Sequence, residues 1–520
     1  MKKTSLLLVS LFLSSVAQVL AQNSFMIIDK EENLLYESFL INNVDSFHSA
    51  IYPRMKTQIT NYDTVQLSLR KENKSRFLNK LVNEYPIELF NKSTRIVPLI
   101  NIESSKDFSG NVSPYTVGGG IMLQSDLGKK LSIQFQFYGA KQRFGIEDQK
   151  QIDSTNILPH IGEYSREQSG SYVYANWEGY ILYKPYKFLI FQAGKDQNFL
   201  GDGYRSLLLS GNSSPYPFIK AVVNVGKIQY IVLYQFMKDV DTEFETYPNE
   251  QKYSTTHFLS WNIGKRFNIN LFESVIWRNK LEEGVNRGYD FNYINPIIFI
   301  RPVEYSIGSA DNMIMGGGFR LRVFKKINFY GQLVLDEFKL SELKAKNGWW
   351  ANKYGYQFGL KIYDLFGIQN LFVLGEYNWV RPFTYSHKSS MENYGNMHQA
   401  LAHPLGSNFK ELVAVINYRK NRWQFQAKIA YAKVGTDIKG DSINYGQNIY
   451  RSYADNRNEY GNSILQGELT KLIKTEVKLA YIINPLWNLK LETGLRMYSY
   501  SNTTDDLKQN TFFLSLKTLF

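Results

Sequence analysis

Leu131, Ile133, Phe135 and Phe137 are apolar, and Ser132, Gln134 and Gln136 between them are polar. Strict alternation of this kind describes a strand with one greasy and one wet face, because successive side chains of a strand point to opposite sides. From about residue 115 the same pattern dominates the chain, as in Phe319–Phe324, Trp423–Tyr431 and Leu489–Met497. Short turns such as 126–129 and 225–227 alternate with long polar stretches at 144–171, 238–252, 382–408 and 434–461. Short turns on one rim and long loops on the other is the pattern of an outer-membrane barrel. About 16 to 19 candidate strands fit between residues 115 and 520, and a single-chain barrel takes an even number. The expected fold is therefore all-β, a transmembrane antiparallel barrel over 111–520 with about eighteen strands, sixteen being the alternative. A soluble sandwich or propeller fits less well, since no blade-like repeat of about 40–50 residues is visible.

Composition agrees with a lipid-facing sheet. The 37 Tyr, 34 Phe and 8 Trp exceed the needs of an ordinary soluble core. A barrel uses them in the aromatic girdles at its two interfaces. Cysteine is absent, which excludes a disulfide scaffold, a zinc finger, an iron–sulfur cluster, a thiol nucleophile and a lipid anchor on an N-terminal cysteine.

The termini read as addresses. Residues 1–21 form a secretory signal peptide, with Lys2 and Lys3 as the positive region, an apolar run from Leu6 to Leu13, and a small-residue cleavage site at Val19–Ala21. Its removal lowers the formal net charge from +13 to +11. The chain has no run of about 18 apolar residues that would make a membrane helix. At the other end, Phe512, Leu514, Leu516, Thr518 and Phe520 share one face of a last strand. This resembles the terminal strand of bacterial outer-membrane proteins, the segment that engages the barrel-assembly machinery. Residues 22–110 differ: Phe77, Leu78, Leu81, Val82 and Tyr85 follow helical spacing, Ser75 can cap the start, and Pro86 ends or kinks the helix. This stretch is expected to be a small, partly helical periplasmic segment or plug whose apolar face packs on the barrel.

Enzyme motifs are missing: there is no Gly-x-Ser-x-Gly elbow, no His-Glu-x-x-His, no phosphate loop and no full Gly-x-Gly-x-x-Gly. His387, His398 and His403 share one loop, but their spacing matches no metal site, and exposed loops often carry histidines. The acidic stretch 239–250 has spaced oxygens that could hold calcium, and reads more simply as a solvated loop tip. No cofactor or metal is expected. The positive balance favours anionic partners at a cell surface, namely lipopolysaccharide, outer-membrane lipid or acidic glycan, and an exported barrel has no evident use for nucleic acid.

Three segments go beyond generic barrel pattern: Gly194–Ser210 with Pro215–Phe218, Asn295–Tyr305 with Gly308–Asn312, and His403–Phe409. Together they resemble the capsule-assembly Wzi family in the version found in Bacteroidetes, which includes the gliding motility protein RemB. Gly201-Asp202-Gly203-Tyr204-Arg205-Ser206 is the most telling part. The resemblance implies an eighteen-stranded outer-membrane barrel with a lumen blocked by inward loops and a small helical periplasmic part. It also implies a role in attaching capsular polysaccharide to the surface, or in adhesion and gliding.

The residues themselves are compatible with this. Gly201 and Gly203 allow a tight bend. Arg205 and Arg301 are expected to point into a polar lumen and pair with Asp202, Glu304 or Asp311 rather than face lipid. Such residues can simply fix a plug loop. Alternatively some of them, with Tyr204 and exposed loop aromatics such as Trp349, Trp350 and Tyr394, contact sugar, because aromatic faces pack on sugar C–H surfaces and guanidiniums bond hydroxyls and carboxylates. The leading expectation is a non-enzymatic barrel that binds surface polysaccharide. A diffusion porin or transporter is the alternative, since a barrel this wide can hold an aqueous channel.

Overall fold

The computed structural model describes residues 47–54, 69–71, 75–162, 165–166, 170–239, 250–280, 286–297 and 311–518. Eighteen long strands run up and down, each paired antiparallel with the next. They are β1 (Thr94–Asp107), β2 (Tyr115–Leu127), β3 (Leu131–Arg143), β4 (Tyr172–Tyr186), β5 (Leu189–Asp196), β6 (Tyr216–Val225), β7 (Ile228–Asp239), β8 (Glu250–Ile263) and β9 (Phe267–Arg278), then β10 (Asn312–Phe324), β11 (Ile327–Leu335), β12 (Tyr354–Tyr363), β13 (Leu371–Val380), β14 (Phe409–Lys420), β15 (Trp423–Thr436), β16 (Glu468–Asn484), β17 (Leu489–Ser501) and β18 (Asp506–Lys517). The last strand pairs with the first, Phe512 opposite Lys106 and Leu516 opposite Ile102, and this closes the barrel. Arg496 on β17 reaches across β18 to bond Glu103 on β1 at 3.0 Å, and on its other side bonds Glu476 on the adjacent β16 at 2.8 Å.

Alternation sets the two faces. On β3, Phe135 and Phe137 are exposed on the outside, and Ser132, Gln134 and Gln136 are buried inside. On β18, Phe512 and Leu514 face outward while Thr511, Phe513 and Ser515 face in. Turns at one rim are tight. That between β6 and β7 needs only residues 226–227, with Gly226 at φ +57°, a conformation disfavoured for side-chain-bearing residues. The other rim carries the long connections 144–171, 197–215, 279–311, 336–353, 381–408 and 437–467.

The barrel starts earlier than residue 111. Strand β1 lies inside the stretch read as the N-terminal segment, because Thr94–Asp107 lacks the longer alternation of later strands and follows a helical pattern directly. The helix itself forms as expected: α1 (Arg76–Asn83) starts at Ser75, whose hydroxyl accepts from the Leu78 N–H, and stops before Pro86. Leu89 and Phe90 do not continue it; Ile87–Leu89 instead pairs with Thr94–Ile96. The orientation of α1 also differs from expectation. Its polar side meets the barrel: Arg422 donates to the Val82 carbonyl and the Asn83 amide, and Asn484 donates to the Leu81 carbonyl. Phe77, Leu78 and Leu81 are exposed. The rim here offers hydrogen-bonding groups rather than an apolar groove, so the helix docks through its polar edge.

The lumen is filled. The connections 197–215 and 381–408 fold inward and meet residues 47–54, where Ile51 and Tyr52 pair as a short strand with Leu200 and Phe199. Leu207, Leu208 and Leu209 are fully buried against wall residues such as Phe272, Ile276, Ile314 and Val334. This apolar core lies inside a barrel whose inner wall is otherwise polar.

Candidate functional site

The Gly201–Ser206 segment is fastened to the lumen wall. Glu376, on β13, accepts from the backbone N–H groups of Tyr204 at 2.7 Å and Arg205 at 3.0 Å, and from the Tyr330 hydroxyl at 2.8 Å. A side chain at position 203 would strike that carboxylate, so the close approach requires glycine. Arg205 forks onto Glu411 of β14, with Nη2 at 3.0 Å from Oε1 and Nε at 3.3 Å from Oε2. Burial works against the Arg205 cation, but the adjacent Glu411 charge outweighs it and holds the guanidinium above its ordinary range. Gln332 accepts from the Leu207 N–H at 2.9 Å. Asp202 takes a hydrogen bond from Ser49 of the N-terminal segment. The motif residues Asp202, Tyr204 and Arg205 thus act on protein, locking the inward loop in place. Arg205 pairs with Glu411, not with Asp202 or Asp311 as the sequence suggested; the partner is 206 positions away.

The other expected site residues are dispersed. Arg301 and Glu304 lie outside the described residues. Asp311 is on the exterior, not in the lumen, bound to Arg287 at 2.6 Å and to the Tyr293 hydroxyl at 2.6 Å. Tyr394 is buried in the plug and stacked on Tyr385 at 5.8 Å, so it is no exposed sugar platform; burial raises its phenol well above the usual range. Trp350 is likewise buried, between Tyr453 at 4.7 Å and the Arg457 guanidinium at 3.8 Å. Trp349 is half-buried and donates its indole N–H to Glu459 at 2.9 Å. These aromatics hold the connections 336–353 and 437–467 together. Among the described residues no three histidine or carboxylate side chains gather as metal ligands. His387 meets Glu392 at 3.1 Å, His403 meets Glu411 at 2.7 Å, and His398 stacks on Tyr450 at 3.9 Å.

That last pair opens onto a cleft of about 350 Å³ on the long-loop side. Four connections build it. α2 (Ile146–Thr155) supplies Gln151, Ser154 and Thr155; the inward loop supplies Asn212; the connection 381–408 supplies His398, Gln399 and Pro404–Gly406; and 437–467 supplies Gln447, Asn448 and Tyr450. The walls are cross-braced. His160 donates its backbone N–H to Gln399 at 2.7 Å, Gln399 donates to Ser214 at 2.8 Å, Asn212 donates to the Ala400 carbonyl at 3.0 Å, and Gln447 donates to the Leu405 carbonyl at 3.1 Å. Burial, with the Asp239 charge adding to it, raises the Tyr450 phenol well above its ordinary range, so it stays neutral. Amides and hydroxyls beside a stacked ring pair suit polyhydroxylated ligands, which present both hydrogen-bonding groups and C–H faces. Sequence reasoning reached this cleft through His398, weighed there as a metal ligand, and through Pro404–Gly406 in the His403–Phe409 motif. The amides are common loop residues and carry no local pattern.

A closed eighteen-strand barrel with an apolar outside, a lumen filled by its own loops and a polar cleft among its long connections has the fold of an outer-membrane barrel. The model of the family described as capsule assembly protein Wzi matches residues 129–512, and the chain belongs to that family. Among solved structures it is similar to Wzi of Escherichia coli, described as an outer-membrane protein involved in group 1 capsule assembly and a carbohydrate-binding β-barrel. The identity is 12%, the TM-score 0.55, and the match covers 95% of this chain and 99% of that one. Weaker likeness extends to OprD of Pseudomonas aeruginosa (11% identity, TM-score 0.43, 82% and 94% of the two chains) and to OpdK of the same organism with vanillate (11%, 0.45, 82% and 99%). No curated protein matches significantly.

Proposed function

We propose that the protein is a non-enzymatic barrel that holds surface polysaccharide, capsular glycan above all, against the outer membrane, and that the cleft beside His398 and Tyr450 is where a glycan segment seats. The observation that carries this is the cleft itself, with amides and hydroxyls converging on a stacked ring pair at the long-loop face. Membership of a capsule-assembly family supports it, as does the carbohydrate binding ascribed to the similar Escherichia coli barrel. In this reading residues 1–21 direct export, the last strand engages the assembly machinery, and lipopolysaccharide surrounds the barrel. Any part in adhesion or gliding motility runs through the glycan held at the surface.

The test is deletion followed by complementation. Cells lacking the protein should shed polysaccharide into the medium while making the same total amount, and the wild-type gene should restore retention. Unchanged retention in the deletion strain would remove the proposal.

A further inference from the structure

The outside of the barrel wall is covered at one place by its own chain. On β9, Phe272 and Ile276 pack in the lumen core, so Leu271, Glu273, Val275 and Trp277 point outward. Leu271, nearer the tight-turn rim, is 40% exposed, as befits the lipid face; Glu273, Val275 and Trp277 are at most 2% exposed. The neighbouring β8 behaves in the same way. Trp261 is exposed, while Thr255 and His257, of the same outward parity, are completely buried, and His257 stands directly opposite Glu273.

Over Trp277 and Thr255 the cover is residues 286–297, part of the connection from β9 to β10. Trp277 donates its indole N–H to the Gly288 carbonyl at 3.2 Å, Thr255 donates to the Tyr293 carbonyl at 3.0 Å, and Tyr234 donates to the Ile294 carbonyl at 2.9 Å. The rings of Tyr289 and Tyr293 lie 5.0 and 4.8 Å from Trp277. Arg287 and Tyr293 clamp the strap to Asp311 at the start of β10. Thr255 would be expensive if bare on a lipid-facing wall, and its bond to the Tyr293 carbonyl holds it beneath the strap.

On its free side the strap exposes three large apolar side chains beside Asn286 and Asn292. Phe291 is 83% exposed, Ile297 68% and Ile294 41%. A loop tip in water has no use for three such groups within seven residues. They continue outward from a wall whose uncovered neighbours, Leu271 and Trp261, are lipid-facing. We propose that residues 286–297 are a collar seated in the outer leaflet, with Phe291, Ile294 and Ile297 against acyl chains and Thr255 and Trp277 sealed beneath.

The chain's lack of cysteine makes the test direct. Phe291→Cys and Ile297→Cys, each in the otherwise unchanged full chain, carry a nitroxide label in a reconstituted bilayer, with Lys439→Cys on an exposed loop as the aqueous control. Relaxation by oxygen, which concentrates in lipid, should exceed relaxation by a water-soluble nickel chelate at 291 and 297 by at least about threefold, with the order reversed at 439. Nickel access at 291 and 297 equal to that at 439 would overturn the proposal and make the strap an aqueous loop. Exclusion of both reagents would also overturn it, showing that protein, such as a second copy of the chain, covers the patch. Two label sites guard against one substitution disturbing the strap.

Discussion

His403 bonds Glu411 through Nε2 at 2.7 Å, and the next three residues, Pro404–Gly406, line the cleft. Glu411 also holds Arg205 of the inward loop. One carboxylate on the lumen wall therefore fastens both the plug and a wall of the candidate glycan site, which makes the integrity of the two interdependent.

Glu411→Gln tests that dependence. The substitution keeps the size but removes the charge facing a largely buried Arg205, and breaking such a pair typically costs about 3–5 kcal/mol. The expected outcome is a lower denaturant midpoint together with current steps in planar bilayers, where the wild-type barrel is expected to show no steady large pore. A wild-type barrel that conducts steadily would favour the porin alternative and contradict a filled lumen.

The N-terminal segment supplies a pH dependence. His48 sits in the lumen, where Asn262 donates to Nε2 at 3.4 Å, so Nδ1 carries the proton and donates to Ser260 at 2.8 Å. Burial first, and the Arg320 cation second, push this imidazole down from 6.5 to about 4. Between these values the released segment binds a proton that the docked segment refuses. Docking is therefore fully stable above about pH 6.5 and weakens as pH falls toward about 4, by up to the order of 3 kcal/mol. Denaturant midpoints at about pH 7.5 and about pH 5 should differ more for wild type than for His48→Gln, which keeps hydrogen bonding without titrating. Equal differences would show that His48 does not control docking.

Leu514 and Ser515 are adjacent on β18 but face opposite media. Leu514→Arg should cost about 2–4 kcal/mol near the bilayer midplane, and Ser515→Asn, on the lumen side, much less. Folding yields and denaturant midpoints in lipid vesicles compare the two; equal costs would contradict the assigned faces.

The barrel was legible in the sequence because alternation is a local property, repeated on every strand, and its apolar face must meet lipid. The site was legible only in part. Gly203 and Arg205 announced a tight, charged bend, but Glu376 and Glu411 lie more than 170 positions away and nothing local marks them as partners. Tyr394 and Trp350 looked like rim aromatics because a loop sequence reveals neither that the chain around Tyr394 turns inward nor that a second connection, through Tyr453 and Arg457, covers Trp350. Asp311 misled for the opposite reason: its connection turns outward over the wall. For α1 the helical spacing was correct, but spacing fixes the face and not the surface it meets.

The most direct test of the central claim is the affinity of the purified full-length barrel for the surface polysaccharide of its own cells, compared with the variant Gln447→Ala/Tyr450→Ala. These changes remove an amide and the ring under His398 while leaving the Arg205–Glu411 lock intact. The account predicts that wild type binds and that the variant binds roughly ten- to a hundredfold more weakly, the loss expected for one hydrogen bond and one stacking face. Equal affinity of the two proteins, both folded, would contradict the placement of the glycan in this cleft.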